Sequence, residues 1–406
     1  MPLAPDSDVL IVLLVCGALI ALWRIVRTRH VLVRVGCSLL VFALAFTTGL
    51  VAVNVWFGYY RTWSALGTDL TGGPAAEAVS LPLPGSSARP LPVVPAVSAA
   101  GAGRARLLTV NLAGAQSGIA RKGYVWLPPQ YGEAAFAHTE FPVVELLHGY
   151  PGRPADWLTG LSLTRVLDHE IAARRLGPMV FVLPTINPAS WPGSQECTDA
   201  VDGARDATYL SVDVPQDIAR SFRVAPPGAS WAIGGFSTGG YCAAMLALRA
   251  PQSFGAVVDL DGYLHPQEGG FLPRRFRGDI AAEAGYDVPT LLAADARGPL
   301  PAFYLMSGSS NRADEADAVT LAHLLDRRES VPLLVEHGAG HTFYAWADAL
   351  PAALDWVWHQ IAPPVLQRSV PTVDPAVPGR ADVTVPVTPL QRLSALLGNV
   401  SVRTRS

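Results

Sequence analysis

The sequence predicts an α/β fold built on a mostly parallel sheet of eight strands, preceded by a pair of apolar helices. Three observations carry this expectation. Residues 104–363 alternate short apolar runs with helical stretches. Within them, the run 230–234 passes through the glycine-rich turn Gly235-Phe236-Ser237-Thr238-Gly239-Gly240 into the alanine-rich stretch 241–250, which Pro251 stops. Finally, the first 60 residues hold two apolar stretches that approach or exceed the roughly 18–20 residues needed to cross a bilayer.

The apolar stretches come first in the chain. Residues 9–23 carry no charge and continue past Arg24 through Ile25 and Val26, and 35–57 form a second run; the expected spans are 9–26 and 35–57. Between them lie Arg24, Arg27, Arg29, His30 and Arg34, whereas Asp6 and Asp8 precede the first. The positive-inside rule then puts the turn in the cytoplasm and the rest of the chain outside it. A cleaved signal peptide is the competing reading. It needs a basic segment ahead of the apolar run, and no Lys or Arg stands there. Residues 1–60 are thus expected to form a membrane hairpin.

Residues 61–103, rich in Pro, Gly and Ala, read as a linker, 104–363 as the catalytic domain, and 364–406 as a flexible Pro/Val/Arg-rich tail. Leu390, Leu393, Leu396 and Leu397 would suit a short amphipathic helix in that tail. The strands are expected at 106–112, 123–127, 143–147, 179–183, 231–234, 256–260, 302–306 and 333–336. Of the 406 residues 50% are apolar, enough for one large core, and a net charge of −3 offers no electrostatic case for nucleic acid. Cys16 and Cys37 fall in the apolar spans. Cys197 and Cys242 fall outside them and could pair in an oxidising compartment, which sequence cannot test. No cysteine spacing suggests zinc.

The turn around Ser237 has the form G-x-S-x-G between a strand and a helix. Small residues two before and two after a serine let strand and helix pack closely around a sharp elbow, as in an α/β-hydrolase fold. A serine needs a base to take its proton and a third group to orient that base. His341 follows the strand 333–336 and is the expected base; His337 is its competitor, although Gly338 and Gly340 argue against a helical metal-binding pair. Asp314, Glu315 and Asp317 follow the strand 302–306. Asp314 is the preferred acid, with Asp259 and Asp261 as substitutes. The order Ser237, Asp314, His341 is that of the α/β-hydrolases. Backbone N–H groups of Thr238 and Tyr150 are the expected oxyanion donors, with His148 shaping the second loop. Trp157, Trp191 and Trp346 are either pocket-lining or core aromatics.

The segments 124–131 and 208–215, Leu147-His148-Gly149, the elbow and Gly340-His341-Thr342-Phe343 together resemble the esterase D family of α/β-hydrolases across most of 104–360. Within it the chain is similar to the branch containing the actinobacterial mycolyltransferases, serine enzymes that move a long acyl chain between sugars. In that branch the acid lies six residues after a strand-terminal glycine. Counting from Gly308 gives Asp314. The chain departs from those enzymes in carrying His148 for an aspartate, Asp314 for a glutamate, and a membrane hairpin.

The expected function is a membrane-anchored, extracytoplasmic serine esterase acting on an acyl ester or glycolipid through an acyl-enzyme, without metal or organic cofactor. An acyltransferase with a sugar or lipid hydroxyl as acceptor is the alternative, and a catalytically silent cell-envelope binding protein a second. Acyl chain, acceptor and oligomeric state are not readable from the sequence.

Overall fold

The computed structural model describes residues 3–81, 103–187, 196–201, 203–267, 275–294, 300–325, 331–363, 366 and 402–405. The N-terminal apolar stretches form α1 (Asp8–Arg27) and α2 (Val31–Phe57), which pack against each other. Both are long and apolar enough to cross a membrane. Only Ala21 of α1 and Val51 of α2 are buried.

Part of the expected linker belongs to the fold instead. Helix α3 (Trp63–Leu70) starts where the Thr62 hydroxyl accepts from the Ala65 N–H at 3.1 Å, and a short strand, β1 (Glu77–Val79), follows. The 61–103 reading overlooked a capping residue ahead of a short helix. The tail residues 390–397 lie outside the described residues.

All eight expected strands are present: β2 (Arg106–Ala113), β3 (Ala120–Leu127), β4 (Val143–Leu147), β5 (Val180–Pro184), β6 (Gly228–Phe236), β7 (Phe254–Leu260), β8 (Ala302–Gly308) and β9 (Leu333–Glu336). With β1 at one edge and β10 (Val402–Arg405) at the other, the order is β1-β2-β3-β5-β4-β6-β7-β8-β9-β10. Strand β3 runs antiparallel to β2 and β5; the other pairings are parallel.

The central strands are buried on both faces, which is why they read as continuous apolar runs. Successive side chains alternate between two cores. Val143, Val182, Ile233 and Val257 face one side with α8 (Thr238–Arg249). Val144, Phe181, Ala232 and Val258 face the other with α12 (Phe343–Ile361). Among the described residues the remaining α-helices are α4 (Ala155–Thr159), α5 (Leu163–Ala172), α6 (Asp206–Thr208), α7 (Val214–Ser221), α9 (Ile280–Ala284), α10 (Val288–Ala294) and α11 (Arg312–Leu325). Cys197 and Cys242 form a disulfide, with Cα atoms 5.8 Å apart, joining the segment after β5 to α8. The parallel strands β4, β6, β8 and β9 all end at one edge, where the loops carrying the candidate residues meet.

Candidate active site

Ser237 occupies the single-residue elbow between β6 and α8, with φ 57° and ψ −126°. A positive φ is costly for a residue with a Cβ, and packing on both sides holds it there. A Cβ on Gly235 would fall 2.2 Å from the Gly239 carbonyl carbon, and one on Gly239 would fall 2.3 Å from the Leu147 carbonyl oxygen. The glycines of the motif are therefore required by the close approach of β6, α8 and the end of β4. The Ser237 N–H donates to the Leu260 carbonyl at 2.9 Å, tying the elbow to β7.

His341 lies between β9 and α12. Its Nε2 is 2.8 Å from Ser237 Oγ, and its Nδ1 is 2.7 Å from Asp314 Oδ2. An ionised carboxylate only accepts, so Nδ1 carries the proton and Nε2 presents a lone pair to the serine hydroxyl. Asp314 sits in the first turn of α11, where the helix dipole favours its negative charge, and also accepts from Asn311 Nδ2 at 2.7 Å. Two loops interlock to bring acid and histidine together. The Ser310 N–H donates to the Ala339 carbonyl at 2.8 Å, and the Gly338 N–H to Ser309 Oγ at 3.0 Å. Burial pulls the His341 pKa down, but the Asp314 hydrogen bond and the charges of Asp261 and Asp314 outweigh it, leaving a net upward shift.

The second expected donor loop passes directly beside the serine. A Cβ on Gly149 would lie 3.3 Å from Ser237 Cβ, so the following residue, Tyr150, starts next to the nucleophile position. Thr238 is the first residue of α8, and an N–H at that position has no partner within its own helix. His148 is fully buried. Its Nδ1 lies 2.8 Å from the Gly149 carbonyl and its Nε2 accepts from the Ile186 N–H at 3.2 Å, which fixes the loop. Burial lowers its pKa to about 4.

Other candidates lie elsewhere. His337 is exposed, and the hydrogen bond to His341 is made by Asp314 rather than by Glu315 or Asp317. Asp259 is buried behind α8, where it accepts from the Gly262 N–H at 2.7 Å, and burial raises its pKa to about 7. Trp157 and Trp346 are core residues: both pack on Phe236, at 5.1 and 4.7 Å between ring centroids. Trp191 lies outside the described residues.

Asp261 has a role that the sequence reading offered only as a substitute acid. It is 2% exposed, accepts from Trp346 Nε1 at 2.7 Å, from Ser307 Oγ at 3.0 Å and from the Gly308 N–H at 2.9 Å. It thus joins the end of β8 to α12 and adds a second negative charge near His341. The cue in the sequence was an aspartate two residues beyond Asp259 at a strand end; its partners, 46 and 85 residues away, were not legible.

Comparisons with known proteins agree with this architecture. An uncharacterized protein of Corynebacterium glutamicum is 30% identical over 264 residues, which cover 62% of this chain; the chain spans only 61% of that relative. Among solved structures, a ferulic acid esterase (19% identical, TM-score 0.53) covers 64% of this chain and 99% of its own. An S-formylglutathione hydrolase from Agrobacterium tumefaciens (19%, 0.52) covers 65% and 98%. A fluorophosphonate-binding serine hydrolase of Staphylococcus aureus (17%, 0.52) covers 63% and 99%. At these identities the structures establish the fold alone. The Esterase family model matches residues 115–361, more than half of the chain, and the chain belongs to that family, with an α/β-hydrolase fold.

Proposed function

We propose that this chain is a membrane-anchored serine esterase whose catalytic domain lies outside the cytoplasm and which cleaves acyl esters through an acyl-enzyme on Ser237. The observation that carries the reading is the relay of 2.8 Å from Ser237 Oγ to His341 Nε2 and 2.7 Å from His341 Nδ1 to Asp314 Oδ2. His341 takes the serine proton as Oγ attacks the ester carbonyl. The negative charge that develops on the carbonyl oxygen is met by the N–H groups of Thr238 and Tyr150, each worth about 3–4 kcal/mol in other serine enzymes. The imidazolium, stabilised by Asp314, returns its proton to the leaving alcohol, and a water activated by the same histidine releases the acid.

Anchoring and sidedness rest on α1 and α2 and on the arginines between them. Asn54 Nδ2 donates to the Pro5 carbonyl at 3.0 Å, so the two outer helix ends meet on the side of the catalytic domain, opposite the Arg24–Arg34 turn. A reporter fused at Gly73 is expected to behave as exported, and one fused after Trp23 as cytoplasmic.

The activity is tested with the purified full chain and short aryl esters. Hydrolysis that disappears in Ser237→Ala supports the reading; equal hydrolysis by Ser237→Ala overturns it. Adding an alcohol acceptor decides between esterase and transferase, because a transferase yields the new ester as its main product.

A further inference from the structure

The segment that leaves α2 docks beside the loops that carry the proposed chemistry. The Tyr59 ring packs on Phe343 at 4.8 Å between centroids, and Phe343 packs on Phe236, the neighbour of Ser237, at 5.3 Å. Tyr344 is held from three directions. Its hydroxyl donates to Asp6 at 2.7 Å, the Arg61 guanidinium lies 5.0 Å from its ring centre, and a Cβ on Gly58 would fall 2.6 Å from that ring. On the other loop, Arg153 pairs with Asp69, which also receives the Tyr60 hydroxyl. The residues just before α1 and just after α2 therefore grip the same side chain, three residues from His341. Three Cα–Cα steps span about 11 Å at most.

This distance matters because of where the bilayer ends. At about 1.5 Å per residue, the 27 residues of α2 measure about 40 Å, against a hydrocarbon core of about 30 Å and headgroup layers of about 5–8 Å on each side. The outer helix end thus reaches the headgroup layer, and His341 is held close beyond it. Helix α3 points the same way. Trp63 and Leu70 are seven residues apart, hence on one helix face, and are 50% and 79% exposed. Trp63 Nε1 donates to the Leu3 carbonyl, and Leu3 is itself 39% exposed. Among the described residues, five large apolar side chains outside α1 and α2 are exposed, and these three sit together at the hairpin exit; the others are Val201 and Ile280. An amphipathic helix carrying Trp and Leu beside two spanning helices suits the membrane interface.

We infer that residues 58–73 hold the catalytic loops at the bilayer surface, and that the ester cleaved belongs to an amphiphile resident in the membrane. The ester of such a molecule lies at the border of acyl chains and headgroups, within reach of a serine held there. This inference rests on the serine-esterase and membrane readings above and adds the substrate class.

The test uses the full chain in phosphatidylcholine/phosphatidylglycerol vesicles and two esters of one fluorogenic alcohol: the soluble butyrate, and the palmitate dissolved in the bilayer. An insertion of 20 Gly/Ser residues between Phe57 and Gly58 gives a flexible spacer of roughly 25 Å. The palmitate rate is expected to fall at least tenfold, with the butyrate rate and fluorophosphonate labelling within twofold of the unmodified chain. Trp63→Ser with Leu70→Ser is expected to lower the palmitate rate about threefold and leave the butyrate rate alone. An unchanged palmitate-to-butyrate ratio in both variants, with labelling intact, overturns this inference alone. Loss of labelling and of both activities in the unmodified chain overturns the esterase reading, and this inference with it.

Discussion

His148 and His341 stand at the same sheet edge, each after a parallel strand, yet their surroundings drive them in opposite directions. His148 is sealed between two backbone partners, and its pKa falls to about 4; it stays neutral and cannot collect a proton at neutral pH. His341 is partly exposed, faces one carboxylate directly and a second at longer range, and its pKa rises despite the cost of burial. The difference lies in what opposes burial, which lowers both pKa values. At His148 the Gly149 carbonyl opposes burial too weakly to prevent the fall, whereas at His341 the Asp314 hydrogen bond and the charges of Asp314 and Asp261 outweigh it.

Substitutions can break this comparison. The largest expected effect is that of His341→Ala, which should lower kcat/KM for a short ester by a factor on the order of 10^4 or more, close to that of Ser237→Ala, because members of such a relay act as a unit. Asp314→Asn keeps the shape but allows the wrong tautomer, so a loss on the order of 10^2 to 10^4 is expected, against less than threefold for Glu315→Gln. If His148 only braces its loop, His148→Gln should reduce kcat/KM less than tenfold while lowering stability to denaturant by about 1–3 kcal/mol.

Stability against pH sharpens the same contrast. The folded pKa of His148 lies below its unfolded value, so its contribution is present above about 6.5 and is lost as pH falls toward about 4. The shift corresponds to about 3 kcal/mol, and His148→Gln should flatten the stability profile in that window. For His341 the sign is reversed: its ion pair stabilises below about 6.5 and that gain disappears as pH rises through the raised folded value. A smaller effect than that of Asp314→Asn is expected from Asp261→Asn. Removing its charge should move the acid limb of kcat/KM to lower pH, with only a several-fold change in the plateau.

Much of this site was legible in the sequence because its geometry is local. The serine elbow is one turn between consecutive elements, and the glycines at 235 and 239 record contacts within that unit. Strands β4 and β5 were legible for a similar reason, since burial on both faces leaves uninterrupted apolar runs. Contacts between distant segments left no such trace. The Asp6–Tyr344 hydrogen bond joins residues 338 apart, and nothing near Asp69 announces Arg153 as its partner. The Cys197–Cys242 bridge was open for the same reason, because pairing depends on where two separate segments meet. Asp261 was visible as an acid, but its work as a brace depends on Ser307 and Trp346, which only the folded sheet brings to it.

The central claim is that His341 activates Ser237, and the pH dependence of fluorophosphonate labelling tests it most directly. The base must be neutral to accept the serine proton, so activity is lost as pH falls through the pKa of that base. Followed by intact mass spectrometry from pH 4 to 9, the full chain should gain one adduct, located on Ser237, at a rate that rises through a single midpoint above 6.5. Ser237→Ala should gain none. A midpoint near 4, the range of His148, or an adduct that persists at the same rate in Ser237→Ala, would contradict the account.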